Sequence, residues 1–208
     1  MRILIADDHQ IVLHGLKGIV EEEFLDSVIS EASDGQELLR MVRANEFDLV
    51  ITDISMPHLN GLEALKQLKV EFPKLPVLVL SMHSAEEYGI RVLRAGASGY
   101  LTKGSANEEL VKAIWQIIRG KKYITPVLAE KLLDSLNAED TGIDQLSDRE
   151  FEVFRFIASG NTPSEIAERL HLSVNTISTY RTRVLEKLGL QNNAEIMRYA
   201  LDHGILPL

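Results

Sequence analysis

Along the first 120 or so residues, short apolar runs alternate with longer stretches whose apolar residues recur every three or four positions. Arg2–Ala6, Ser27–Ala32, Asp48–Thr52, Pro76–Leu80 and Gly99–Thr102 show little polar alternation, as suits parallel strands covered on both faces. Between them, Ile11–Glu22 places Ile11, Leu16, Ile19 and Val20 at helical spacing, and Leu62–Phe72 does so with Leu62, Leu65, Leu68 and Phe72. Gln36–Val42 and Ala85–Ala95 also read as helices, and Ala106–Ile118 carries Leu110, Val111, Ile114, Trp115 and Ile118 on one stripe. Pro73, Gly96 and Gly120 supply the stops. Five strands alternating with five helices predict an α/β, doubly wound, flavodoxin-like parallel sheet in the order 2-1-3-4-5.

The pattern then changes. Pro126–Leu136 reads as a short amphipathic helix, and Asn137–Gly142 is polar and turn-rich, the best linker candidate. No strand pattern follows Leu146, only four short helices. Ser147-Asp148-Arg149-Glu150 and Thr162-Pro163-Ser164-Glu165 are capping boxes, the second with proline at the first helical position. Ser173 caps a helix over Val174–Leu188 that stops at Gly189, and Asn193–His203 forms the last. The second and third, joined at His171-Leu172-Ser173, make a helix-turn-helix. The expected division is a first domain over 1–120, a linker with a short helix over 121–145, and an all-α domain over 146–208.

Composition narrows the function. The chain of 208 residues contains no cysteine, which excludes disulfides, cysteine-bound zinc and thiol catalysis. No apolar run approaches the roughly 18 residues of a membrane span, and the apolar stretch before Asp7-Asp8 is too short for a signal peptide. A cytoplasmic protein is expected, with no membrane partner. Net charge is −9; residues 146–208 hold seven Lys/Arg and eight Asp/Glu, so the residues before them carry −8. The acidic front half is a poor polyanion binder, and the near-neutral back half needs a local basic surface to bind nucleic acid.

The chemistry sits where the strands stop. The first run ends on Asp7-Asp8, the third on Asp53, the fourth on Ser81 and the fifth on Lys103. Parallel strands bring these ends to one edge, where ligands of open α/β sheets bind. Carboxylates crowded there raise one another's pKa, which a hard divalent cation such as Mg²⁺ relieves. Asp53 is the candidate nucleophile toward phosphorus, with Lys103 neutralising the transferring oxygens.

Asp7-Asp8, Asp53-Ile54-Ser55-Met56-Pro57, Leu80-Ser81 and Tyr100-Leu101-Thr102-Lys103 resemble the motif set of bacterial response-regulator receiver domains. The resemblance implies a phosphoryl group accepted by Asp53 from a histidine kinase. It also implies Mg²⁺ held by Asp8, Asp53 and the backbone carbonyl of Ser55, with Asp7 acting through water. Lys103 would pair with the phosphate, Ser81 would donate its hydroxyl, and Tyr100 would swing inward. Ser55 and His83 stand where receivers tune the lifetime of the acyl phosphate. Lys103-Gly104 departs from the Lys-Pro of many receivers, and Leu13 replaces a frequent arginine.

In the helix Val174–Leu188, Ile177, Val184 and Leu188, with Tyr180 beside them, form the inward stripe. Arg181, Arg183 and Lys187 make a local basic excess opposed only by Glu186. Leu146–Glu150, Glu165–Leu170 and Ser173–Leu190 resemble the LuxR-type DNA-binding domain. By that resemblance Ser178, Thr179 and Thr182 read bases, while Asn175, Thr176, Arg181 and Lys187 grip phosphates; Arg183 joins them by its charge. The last helix, around Ile196, Tyr199, Ala200 and Ile205, resembles the family's dimerisation helix. Both halves together resemble a response regulator of the NarL/FixJ class: a phosphorylation-controlled transcription factor, not an enzyme, active as a homodimer on promoter DNA. Two other readings stay open. One is a phosphorylation-independent dimeric factor whose first domain only dimerises, and the other is an aspartyl-phosphate hydrolase.

Overall fold

The computed structural model describes residues 1–82, 84, 88–137, 142–203 and 205, which fall into two compact units, Met1–Leu132 and Leu133–Leu208. His83, residues 85–87 of the expected fourth helix and residues 138–141 of the expected linker lie outside the described residues.

In the first unit, strands β1 (Arg2–Ala6), β2 (Val28–Ala32), β3 (Leu49–Asp53), β4 (Val77–Ser81) and β5 (Gly99–Thr102) form one parallel sheet in the order β2-β1-β3-β4-β5, as the apolar runs predict. Ala6 pairs with Thr52, Asp53 with Leu80 and Ser81 with Thr102, so the carboxyl ends of four strands share one edge. Helices α1 (Gln10–Glu23) and α5 (Ala106–Ile118) pack against the face built by Ile3, Ile5, Leu49, Ile51, Leu78, Leu80 and Leu101. The alternate residues Leu4, Val50, Val79 and Tyr100 are equally buried and face the other way. That second face is covered by α2 (Gly35–Ala44), α3 (Gly61–Glu71) and α4 (Ile90–Arg94), which completes the doubly wound layer order. A further helix, α6 (Pro126–Asn137), begins in this unit, where Leu128 is fully buried.

Two details differ from the periodicity. Helix α1 buries Leu13, Leu16 and Val20, at i, i+3 and i+7, and leaves Ile11 almost fully exposed. Helix α5 turns Trp115 to the rim of its buried stripe, where it lies against Phe24 at 5.0 Å between ring centroids.

The second unit holds α7 (Asp148–Ala158), α8 (Pro163–Leu170), α9 (Val174–Leu188) and α10 (Asn193–Asp202). Both capping boxes form: Ser147 with Glu150 at the start of α7, and Thr162 with Glu165 at the start of α8. Helix α8 ends at His171 in the left-handed conformation (φ 53°), and Ser173 then caps α9 by accepting the Thr176 N–H. Phe151, Phe154, Ile157, Ile166, Ile177, Val184, Ile196 and Ala200 make the core, with the Phe154 ring edge-on to Tyr199.

Candidate functional site

The sheet edge brings Asp7, Asp53 and Lys103 into direct contact. Asp7 and Asp53 follow β1 and end β3, and they are only 1% and 3% exposed. Lys103 follows β5 in a short 3₁₀ turn and extends its ammonium between them, 2.9 Å from Asp53 Oδ2 and 2.6 Å from Asp7 Oδ2. The contact to Asp53 is a hydrogen bond. The one to Asp7 is a close ion pair to a fully buried carboxylate.

Two buried carboxylates thus share one cation. Burial pushes the Asp53 carboxyl up to about 6, with the Asp7 charge acting in the same direction, although Lys103 and the Ile54 N–H pull it down. The Ile54 N–H donates to Asp53 Oδ1 at 2.8 Å. Burial opposes the charge on Lys103 as well, but the two carboxylates outweigh it and hold its pKa above the ordinary lysine value. At neutral pH both groups of the pair are charged.

Asp8 stands at the rim, more exposed than Asp7, with His9 Nδ1 2.8 Å from Asp8 Oδ1 and 3.3 Å from Asp7 Oδ1. Ligand atoms of Asp7, Asp8 and His9 lie within 4.8 Å of one another. A cluster of carboxylate oxygens served by one lysine suits a hard divalent cation. Ser55 is exposed at the mouth of the edge, and Ser81 is fully buried beneath it. Tyr100 already occupies the interior, its hydroxyl donating to the Ser84 carbonyl at 3.3 Å, so the inward position is the one seen here. The described backbone contains no cis peptide, Lys103-Gly104 included.

Gly61 is a functional position that helical periodicity passes over. A Cβ there would overlap the Asp53 carbonyl oxygen, so only glycine lets α3 start flush against the strand end bearing Asp53. Asn60 caps the same helix by accepting the Glu63 N–H at 2.8 Å. The Asn60-Gly61 pair ahead of an apolar helical repeat was the available signal.

Helix α9 of the second unit presents Asn175, Ser178, Thr179, Thr182 and Arg183 to solvent, with Thr176 half-buried. Asn175, Thr176, Thr179, Tyr180 and Arg183 line a shallow depression of about 350 Å³ on this face. The hydroxyls of Ser178, Thr179 and Thr182 each donate to the carbonyl four residues earlier at 3.0 Å. This leaves their lone pairs outward, as acceptors. Arg183 makes no ion pair among the described residues. Arg181 and Lys187 are committed elsewhere. Arg181 Nε donates to Asn193 Oδ1 at 2.6 Å, and Lys187 Nζ donates to Glu150 Oε2 at 2.6 Å and to the Gln145 carbonyl at 3.0 Å. These two cations, expected from the resemblance to grip phosphates, also tie α9 to its neighbours. Val174, 44% exposed at the first turn, is an apolar surface residue that the polar pattern did not single out.

Comparison with known proteins agrees with both units. Residues 3–115 match the response regulator receiver domain, and residues 144–200 match the luxR family of bacterial regulatory proteins. The chain is 34% identical to the response regulator UvrY of Escherichia coli K12 over 208 residues, covering 99% of this chain and 95% of that one. It is 36% identical to the oxygen regulatory protein NreC of Staphylococcus carnosus, with 99% of each covered. Among solved structures, RcsB of Salmonella enterica serovar Typhimurium, bound to the rprA promoter with the phosphomimetic BeF₃⁻, superposes with a TM-score of 0.62. That match has 31% identity and covers 96% of this chain and 98% of RcsB. The chain belongs to the response regulators of the NarL/FixJ class, with a receiver domain followed by a LuxR-type helix-turn-helix. It is a DNA-binding regulator of transcription. No helix among the described residues is long and apolar enough to cross a membrane.

Proposed function

We propose that Asp53 accepts a phosphoryl group from a histidine kinase and that the resulting acyl phosphate controls DNA binding. The carrying observation is the buried Asp7–Lys103–Asp53 contact at the carboxyl edge of the sheet. Asp53 Oδ attacks phosphorus, the bond from phosphorus to the kinase histidine breaks, and the acyl phosphate forms. With the carboxyl pushed only to about 6, the nucleophilic carboxylate predominates at pH 7. Lys103 is placed to move from Asp53 to the arriving phosphate oxygens, and Ser81 to donate its hydroxyl to them. Asp8, Asp53 and the Ser55 carbonyl would hold Mg²⁺, with Asp7 acting through water. The ion supplies charge neutralisation at the transferring oxygens.

A phosphoryl group adds roughly 1.5 to 2 negative charges. In this proposal that charge changes homodimerisation, docking between the domains, or both, and so the presentation of α9 to promoter DNA. Ser178, Thr179 and Thr182 read bases, and Asn175, Thr176 and Arg183 meet phosphates. Arg181 and Lys187 also hold the helix to Asn193 and Glu150. The domains are taken as 1–120, 121–145 and 146–208, in a cytoplasmic protein. The Salmonella RcsB complex, with promoter DNA and a phosphomimetic, supports carrying this over.

The test is incubation with a small acyl phosphate and Mg²⁺, followed by intact mass under acid and by DNA binding. Labelling of the parent and none of Asp53→Ala is expected. Equal labelling of both proteins rejects the acceptor assignment. Labelling without any change in DNA affinity favours a phosphorylation-independent factor.

A further inference from the structure

At the opposite edge of the receiver sheet, away from Asp53, a cleft of about 650 Å³ is lined by Lys69, Lys74, Lys121 and Lys122, with Asp48 as its one acidic residue. Beside the lysines, Pro73, Pro76 and Ile118 add an apolar strip to its wall. We propose that this lysine cleft binds a phosphorylated small molecule of about nucleotide size, its phosphates among the lysines and its uncharged body against the apolar strip.

Charge argues for it first. Residues 1–145 carry most of the net −9 of the chain, yet four lysines line this one cleft. The bland explanation is that they complement the helix carboxyl termini that also end here. Those of α3 and α5 contribute about half a negative charge each. With Asp48 that offsets two of the four positive charges, and Asp48 is already engaged by the Arg2 N–H at 2.7 Å. A positive excess remains. Lys74, Lys121 and Lys122 make no ion pair among the described residues, so their charges have no fixed partner.

Lys69 shows the strain of this arrangement. Its stem lies across Gly96, which has φ of +97° and could not carry a side chain there without crowding it. The half-buried ammonium donates to the Leu75 carbonyl at 2.6 Å and to no carboxylate. Burial and the nearby Lys122 both lower its pKa. An anion between Lys69 and Lys122 would relieve the second effect and replace lost hydration for the first. The volume is that of small-ligand pockets in general.

The test uses the full chain in Mg²⁺-free buffer. Pyrophosphate and ADP are titrated separately by calorimetry and by ¹⁵N–¹H spectra. Saturable shifts centred on Gly96, Ser98, Gly120 and Lys121 are expected, with ADP binding tighter than pyrophosphate. The surface variant Lys74→Ala/Lys122→Ala should weaken both at least tenfold while leaving labelling of Asp53 unchanged. Asp53→Ala should leave both affinities unchanged. Absent or chain-wide shifts, or an unaltered affinity in the double variant, would overturn the site. Equal affinity for ADP and pyrophosphate would overturn the apolar half of the ligand.

Discussion

Burial gives Asp53 a chemical character that an exposed aspartate lacks, and this has a thermodynamic consequence. The folded chain holds the carboxyl at about 6 against an ordinary 3.8, so between those values it binds more protons than the unfolded chain. Its contribution therefore favours folding below about pH 4 and is lost as pH rises through about 6. Lys103, held above the ordinary lysine value, stays charged throughout that window. Asp53→Asn removes the buried ionisation while Lys103 keeps Asp7. We expect it to be more stable than the parent at pH 7.5, by about 1–3 kcal/mol, with the difference closing toward pH 4 in thermal melts. Millimolar Mg²⁺ should raise the melting temperature of the parent at pH 7.5 and raise that of Asp53→Asn much less. Gly61 is the complementary case, a residue with no chemistry that fixes where the chemistry stands. Gly61→Ala forces its Cβ onto the Asp53 carbonyl. It should cost about 2–4 kcal/mol in urea melts and slow Asp53 labelling in whatever fraction still folds.

At the scale of elements, α9 separates readers from supports. Arg183 is exposed on the outer face, whereas Lys187 is held by Glu150, whose carboxylate is buried in the α7 capping box. Burial raises the Glu150 pKa, but hydrogen bonds from Lys187 and Ser147 more than offset this and hold it below the ordinary value. Arg183→Ala should weaken binding to all DNA sequences alike and reduce the salt slope by about one. Lys187→Ala should instead cost about 1–2 kcal/mol of stability, read by chemical melts, and leave the salt slope nearly unchanged. Thr182→Ala should act unlike either, shifting sequence preference in site-selection experiments. The three cations look equivalent in sequence because only the partner in space distinguishes them. Glu150 lies 37 positions from Lys187, and no local pattern couples them. The strands, caps and turns of both units were legible because they follow local rules: apolar runs, Ser or Thr three positions before Glu, glycine at helix ends. The sheet edge was legible because parallel strands place Asp53, Ser81 and Lys103 together whatever the loops do. Less visible were the burial of Asp7 beside Lys103, the outward turn of Ile11 and the glycine contact at Asp53. Each depends on how side chains and backbone pack in three dimensions.

For the whole molecule, the two units carry separate chemistry, an acidic sheet edge in the receiver and a helix-turn-helix of the luxR family. The proposal requires that one changes the other. Affinity for a duplex enriched from a random pool measures this coupling when it is compared, at fixed salt, before and after treatment with an acyl phosphate and Mg²⁺. The parent should bind at least tenfold tighter, or loosen by as much, once labelled, a coupling of about 1.4 kcal/mol or more. Asp53→Ala should show one affinity under both conditions. Equal affinity of labelled and unlabelled parent, with complete labelling confirmed by mass, would contradict phosphorylation control of DNA binding.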